Sequence, residues 1–100
     1  EMPYIPNYVT RHSWYNYSIK VPIQKRNKLI NFLNKKGIET RLSFPLVHIQ
    51  PYYKKKFSSK TKDLIKSHNV FKKFLDIPIW PNLNKKKQLF IIKTIIKFLS

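Results

Sequence analysis

Two segments alternate between apolar and polar residues with the period of two that is typical of half-buried strands. They cover residues 15–21 and 38–44. The second places its larger apolar residues on one face, which carries Ile38, Thr40, Leu42 and Phe44. Residues 75–80 form a third, shorter apolar run, and Pro78 and Pro81 confine such a strand to a sheet edge or a strand end. The pattern therefore predicts three short strands.

Two further segments carry apolar residues at helical spacing. In residues 24–36 the stripe consists of Leu29, Ile30 and Leu33, and Gly37 fits the left-handed position after a helix C-terminus. Asn84 is suited to cap the last helix, whose stripe is broader. The members of that stripe are Leu89, Ile91, Ile92, Ile95, Ile96, Phe98 and Leu99. Strands with helices on one face predict an α+β fold, a small two-layer sandwich with a few-stranded, mainly antiparallel sheet.

The middle of the chain is predicted to be irregular. Pro45 and Pro51 stiffen a loop that directly follows the second strand. A Ser/Lys-rich segment from Lys54 to about His68 is expected to be a surface loop, with a short helix at residues 62–66. Residues 70–74 are expected to form one or two helical turns before the third strand begins.

Candidate chemistry concentrates around the Pro-bracketed loop. His48 lies within it, with Gln50 and Tyr53 beside it, and loops on a rigid scaffold are where binding residues concentrate. The alternative is a structural histidine that hydrogen-bonds the loop backbone. Arg41, on the polar face of the second strand, offers the fork geometry that binds phosphate or carboxylate, or it is a solvated strand residue.

The charge balance is unusual, with 21 Lys and Arg residues against 4 acids and a net charge of +17. Such a surface suits a polyanion, either a nucleic acid or an anionic membrane. The alternative is compositional bias, since lysine far outnumbers arginine, alanine is absent and glycine occurs once. Bias accounts for Lys in place of Arg, but it does not account for so few acids.

The sequence lacks the residues that several classes of function require. Cysteine is absent, which removes disulfides and thiolate metal sites and favours a cytoplasmic setting. The three histidines are widely spaced, so no metal site is expected. No pair of acids is placed for acid–base work, and no Gly-rich phosphate loop is present. No signal peptide or transmembrane segment is expected, because the longest apolar run is broken by Lys93 and Lys97.

The order of short motifs resembles the C-terminal small domain of the DegT/DnrJ/EryC1/StrS family of pyridoxal-phosphate-dependent sugar aminotransferases. The resemblance covers about residues 11–99. Its motifs are His-Ser-Trp-Tyr-Asn-Tyr-Ser-Ile (12–19), Arg-Asn-Lys-Leu (26–29), Gly-Ile-Glu-Thr-Arg (37–41), Phe-Pro (44–45), His-Ile-Gln-Pro-Tyr-Tyr (48–53), Leu-Asp-Ile-Pro-Ile-Trp-Pro-Asn-Leu (75–83) and the terminal helix. Residues 1–11 contain Pro3 and Pro6 and have no clear period, so we expect an extended lead-in or linker there, and the resemblance makes residues 12–100 the domain.

The resemblance implies an enzyme that acts on nucleotide-linked keto-sugars, usually with glutamate as amino donor, and that works as a homodimer. It implies that pyridoxal phosphate is bound by a large domain outside this chain, so that this chain alone binds no cofactor and has no catalytic residue. The substrate-side residues it implies are Arg41, Phe44, His48, Gln50 and Tyr53. Many relatives have His-Tyr-Pro where this chain has Ser43-Phe44-Pro45, and the segment between Pro45 and His48 is one residue shorter than the commonest pattern.

Two other functions remain open from the residues alone. One is a stand-alone basic module for nucleic acid. The other is a membrane-surface module that uses the terminal helix, whose apolar arc and lysine stripe suit an interface. The same arc also suits a helix that covers a sheet.

Overall fold

A computed structural model describes residues 1–57 and 61–100. Its sheet has two antiparallel strands, β1 (Tyr17–Lys20) and β2 (Phe74–Ile77). Ile19 pairs with Leu75, and Ser18 pairs with Asp76. Because side chains alternate along a strand, the first pair points to one face and the second pair to the other. The α+β fold class is confirmed, with an antiparallel sheet of two named strands rather than three.

The core lies between one face of this sheet and two helices, α1 (Ile23–Lys35) and α4 (Lys85–Leu99). Its buried members are Ile19, Val21, Leu29, Leu33, Ile38, Leu75, Ile91 and Ile95. Leu29, Leu33 and Leu75 have no exposed surface. Burial of this apolar stripe is the main force that holds α1 on the sheet.

Gly37 ends α1 as predicted. Its φ is +72°, which only glycine adopts without a steric penalty. The Gly37 N–H donates to the Asn34 carbonyl at 3.0 Å, and the Ile38 N–H donates to the Leu33 carbonyl at 2.9 Å. This is the Schellman pattern, and it turns Ile38 into the core beside Leu33.

Asn84 caps α4 as predicted, since its Oδ1 accepts a hydrogen bond from the Lys87 N–H at 2.9 Å. The buried face of this helix differs from the predicted stripe. Ile91, Thr94 and Ile95 are buried, whereas Leu89, Phe90, Ile92 and Ile96 are exposed. A two-stranded sheet and one neighbouring helix cover only part of a broad apolar arc.

The second predicted strand, residues 38–44, is wrong. Only Arg41 forms a bridge, in which its N–H and carbonyl pair with the carbonyl and N–H of Asp76. Leu42 is exposed and Phe44 is 77% exposed, so the predicted apolar face stops at Thr40. Alternation alone does not make a strand, because a strand needs a partner along its length, and residues 38–44 pair with β2 only at Asp76.

The middle of the chain is more helical than predicted. A 3₁₀ turn (Val47–Ile49) leads into α2 (Pro51–Phe57), and a second 3₁₀ turn (Thr61–Leu64) leads into α3 (Ile65–Phe71). The predicted surface loop is therefore wrong where it is described, and its residues 58–60 lie outside the described residues. Pro51 starts α2 at the first helical position, where a missing N–H costs nothing, and lysine favours helix. The short helix expected at 62–66 falls on the second turn and the start of α3.

Within the described ranges, no helix is both long and apolar enough to cross a membrane. The same ranges contain no cluster of three or more His, Cys, Asp or Glu side chains that could hold a metal ion. The division of the chain after residue 11 stays a prediction. In the structure Glu1 pairs with Lys20 of β1 through two backbone hydrogen bonds.

Candidate functional site

A cleft of about 340 Å³, with both polar and apolar lining residues, lies where three segments of the chain meet. The segment before β1 contributes Asn16, the segment after α1 contributes Glu39 and Arg41, and β2 contributes Asp76. We call this the Arg41 cleft. Its remaining lining residues are Tyr15, Tyr17, Thr40, Ile77, Pro78, Ile79 and Trp80.

The buried side chain of Asp76 connects two of the segments that form the cleft. It is only 4% exposed, and its carboxylate accepts hydrogen bonds from the Ser18 and Ser43 hydroxyls. The Ser43 Oγ lies 3.2 and 3.1 Å from the two carboxylate oxygens. Buried carboxylates persist only when they are hydrogen-bonded in this way. Asp76 therefore holds β1 and the segment around Ser43 together.

Arg41 sits above this anchor. Its backbone pairs with that of Asp76, which fixes the main chain, while its side chain is exposed. The guanidinium Nη2 donates to the Asn16 Oδ1 at 3.2 Å, so Asn16 orients it. A guanidinium has five N–H donors in a rigid fork, so one such bond leaves donors for a carboxylate or a phosphate. The Arg41 guanidinium can thus bind an anion at the cleft, against the repulsion of the Glu39 and Asp76 carboxylates that also line it.

The other four residues predicted at the site do not line this cleft. Phe44 is largely exposed, and His48 is buried (9% exposed) within the first 3₁₀ turn. The Gln50 Nε2 donates to the Leu46 carbonyl at 3.3 Å, which fastens the same turn. Tyr53 projects from α2, 41% exposed, with its ring 6.2 Å from that of Phe57. The structure therefore places Arg41 in one concavity and the His48 turn elsewhere.

Asn16, Ser18 and Ser43 were not recognised from the sequence. Their partners are 25, 58 and 33 residues away, so no local motif relates them. The one available signal is strand register, since Ser18 and Asp76 fall opposite each other once Ile19 is paired with Leu75. That register depends on knowing which strands pair.

Comparisons with known proteins place the chain in a family. The model of the DegT/DnrJ/EryC1/StrS aminotransferase family matches residues 1–96. The chain is 34% identical over 79 residues to the spore coat polysaccharide biosynthesis protein SpsC of Bacillus subtilis, covering 74% of this chain and 20% of that protein. It is 30% identical over 88 residues to the UDP-4-amino-4-deoxy-L-arabinose–oxoglutarate aminotransferase of Shewanella sediminis, covering 80% of this chain and 23% of that enzyme.

The fold also agrees with that of a solved structure. The crystal structure of NtdA from Bacillus subtilis, with bound cofactor PMP, superposes with a TM-score of 0.77 at 22% identity. The match covers 88% of this chain and 21% of NtdA. The chain thus spans about a fifth to a quarter of the length of the proteins it matches. With a family model that matches nearly all of its residues, this chain belongs to the DegT/DnrJ/EryC1/StrS aminotransferase family.

Proposed function

We propose that this chain is the C-terminal domain of a cytoplasmic, pyridoxal-phosphate-dependent aminotransferase that acts on nucleotide-linked keto-sugars. The observation that carries the proposal is the family match over residues 1–96, together with a fold shared with NtdA. The names of two relatives refer to polysaccharide biosynthesis and to a UDP-linked amino sugar. We extend that substrate class to this chain.

The cofactor is assigned to the remainder of the parent polypeptide. Pyridoxal phosphate needs a lysine for its Schiff base and an acid at the pyridine nitrogen. A second, apolar concavity lies between α4 and the sheet. Among the residues that line it or the Arg41 cleft, Lys20 is the only lysine, and its Nζ lies 2.8 Å from the Glu1 carboxylate. The Asp76 carboxylate already accepts from two serine hydroxyls. Because both side chains already have partners, we assign the lysine and the acid that pyridoxal phosphate needs to the rest of the parent polypeptide.

In this proposal Arg41 is the residue of this chain that touches an anionic group of a substrate. The anion is the diphosphate of the nucleotide-sugar or the carboxylate of the amino donor, and both suit a guanidinium fork. Asp76 and Asn16 keep the fork in place. The surplus of basic residues steers the negatively charged substrate toward the cleft.

The domain would also close the substrate cleft and support a homodimer. Phe44 and Tyr53 are exposed side chains available for contacts with a partner or substrate, whereas His48 and Gln50 stiffen the turn between them. These four remain proposed substrate-side residues. Because these four residues do not line the Arg41 cleft, we propose that they meet the substrate from a second direction.

The test uses the longest polypeptide that the source gene encodes. Glutamate-dependent transamination of a UDP-linked keto-sugar should be measured by chromatography for the parent protein, Arg41→Ala, Arg41→Lys and Arg11→Ala. Arg11 is an exposed control that removes the same charge outside the cleft. We expect Arg41→Ala to raise KM for the anionic substrate by one to two orders of magnitude, about the 1.5–3 kcal/mol of a charged hydrogen bond. Arg41→Lys should raise KM by a smaller factor than Arg41→Ala, because lysine keeps the positive charge but lacks the guanidinium fork.

Equal KM values for the two alanine variants would refute the role of Arg41. Absence of transamination in the unaltered parent protein with any UDP-linked keto-sugar would refute the proposed function itself.

A second candidate function has one specific observation in its favour. Helix α2 exposes Tyr52, Tyr53 and Phe57 beside Lys54, Lys55 and Lys56, and exposed rings among lysines suit single-stranded nucleic acid. Binding of a labelled oligonucleotide should then weaken when Tyr52 and Phe57 are replaced by serine, at constant charge. If added salt abolishes binding but the aromatic substitutions do not change it, the binding is only nonspecific electrostatic attraction to a polyanion.

A further inference from the structure

One side of α4 carries lysines and large apolar side chains next to one another. Residues three, four and seven apart share a face of a helix. That spacing relates Lys86, Leu89, Phe90, Lys93 and Lys97. Leu89 is 43% exposed, Phe90 is 51% exposed, and the three lysines are exposed as well. We call these five residues the outer face of α4.

The outer face is distinct from the surfaces that α4 uses within the fold. Ile91 and Ile95 belong to the core, and Ile92 and Ile96 line the apolar concavity between α4 and the sheet. No residue of the outer face lines that concavity or the Arg41 cleft. The apolar arc of α4 is therefore shared, since one part covers the sheet and another part stays exposed.

The charge on the two long helices is of one sign. Helix α1 contains four Lys or Arg residues and α4 contains five, and neither contains Asp or Glu. Lys93 and Lys97 are four residues apart, a spacing at which like charges destabilise a helix. Among the described side chains, no ion pair engages a lysine of α4. The outer face therefore has uncompensated positive charge, which is complementary to a negatively charged surface.

We propose that the outer face of α4 is a docking surface for an anionic lipid bilayer. Leu89 and Phe90 enter the boundary between headgroups and acyl chains, and the neighbouring lysines hold their ammonium groups at the lipid phosphates. The helix lies in the plane of the interface, with its core side still packed on the sheet. This proposal goes beyond the proposed function and does not depend on it.

The apolar residues of the outer face favour lipid over nucleic acid. Single strands bind where successive bases stack on aromatic rings. The outer face has one ring, that of Phe90, and the neighbouring Leu89 is aliphatic. Phosphate contacts to a duplex would leave both of these side chains in water. A bilayer removes both from water, which is the more favourable outcome for them.

The experiment is flotation of the longest polypeptide that the source gene encodes with lipid vesicles. Vesicles of phosphatidylglycerol and phosphatidylcholine in equal parts are compared with vesicles of phosphatidylcholine alone. We expect binding to the mixed vesicles only. Lys86→Gln/Lys93→Gln/Lys97→Gln should weaken this binding by about two orders of magnitude, since each lysine near an anionic surface contributes roughly fivefold.

A matched charge variant separates the outer face from the overall charge. Lys54→Gln/Lys55→Gln/Lys56→Gln removes the same charge from exposed residues of α2. We expect it to weaken vesicle binding by less than about tenfold, because charges more than about 8 Å from the lipid surface are screened at physiological salt.

A second set of variants tests the apolar part at constant charge. Leu89→Ser/Phe90→Ser should weaken vesicle binding by at least about tenfold. Ile65→Ser/Val70→Ser removes similarly exposed residues, at 48% and 51%, from α3 and should leave binding unchanged. Phe90→Trp should bind more tightly, because tryptophan favours the membrane interface. Loss of the fold cannot produce such a gain.

Absence of binding to the mixed vesicles would overturn the proposal, and so would equal binding to both kinds of vesicle. Equal effects of the two lysine variants would also overturn it, because the attraction would then belong to the whole charge of the protein. An oligonucleotide that binds without any vesicle binding, and that Leu89→Ser/Phe90→Ser releases, would assign the outer face to nucleic acid instead.

Discussion

Replacing Asp76 tests whether a buried carboxylate holds the candidate site together. In Asp76→Ala the hydroxyls of Ser18 and Ser43 lose their acceptor in a part-buried setting. Each hydroxyl left without a hydrogen-bond partner lowers the free energy of unfolding by about 1–3 kcal/mol. Removing a buried charge returns part of that cost, so we expect a net destabilisation of about 2–4 kcal/mol.

Asp76→Asn should behave differently. The amide keeps the shape and one oxygen acceptor for Ser18, and the Ser43 hydroxyl can rotate to accept from its NH₂. The bonds lose their charge, but burial of the neutral group also costs less. We therefore expect the change in unfolding free energy to stay within about 1 kcal/mol.

The assay is urea denaturation of the 100-residue chain, with hydrogen exchange at the Arg41 amide as a local readout. That amide donates to the Asp76 carbonyl, so its protection should drop in Asp76→Ala and persist in Asp76→Asn. Glu39→Ala, at an exposed acid, is the control and should change stability by less than about 0.5 kcal/mol. Equal, small effects of both Asp76 variants would refute the anchoring argument.

Three further predictions concern the scaffold. Gly37→Ala should destabilise the chain by about 1 kcal/mol in urea denaturation, since its φ is +72° although no atom would clash with the added methyl, and an unchanged midpoint would contradict this. Ile95→Ala should lower the free energy of unfolding of the 100-residue chain by about 2–4 kcal/mol, because Ile95 is in the core. Ile96→Ala should lower it by less than about 1 kcal/mol, because Ile96 is exposed, and equal losses would contradict the described burial. In Lys20→Met the pKa of Glu1 should rise toward its ordinary value in an NMR titration, since the hydrogen bond and charge that lower it are gone, and an unmoved pKa would assign the effect to another group.

The elements predicted correctly from the sequence are those that depend on local chemistry. Gly37 ends α1 because one residue there must take a left-handed conformation, and Asn84 starts α4 because its side chain reaches an amide three residues on. Both signals are complete within a few residues.

The failures involve partners distant in sequence. Residues 38–44 alternate like a strand, but only Arg41 finds a partner on β2. The lysines of α2 were interpreted as a loop because they are polar, although lysine favours helix. The apolar arc of α4 does not itself indicate how much of it is covered, and in the structure Ile92 and Ile96 line an open groove.

The residues of the candidate site also differ in whether local sequence identifies them. Residue type and position identify Arg41, and the structure places it in a cleft with other polar side chains. Asn16 and Asp76, which fix it, come from segments 25 and 35 residues away along the chain, so they became visible only once the strands were paired. The His48 turn was identified as ordered, but nothing in the sequence indicates that it lies outside this cleft.

The central claim is that this chain is part of a longer enzyme whose cofactor is bound elsewhere. The most direct measurement is to capture the native polypeptide from its source cell with an antibody against this domain, reduce it with borohydride and map any pyridoxyl-lysine by mass spectrometry. We predict a species several-fold heavier than 12.1 kDa, with the modified lysine outside residues 1–100. A native species near 12.1 kDa, or a specific adduct on a lysine of this chain, would contradict the account.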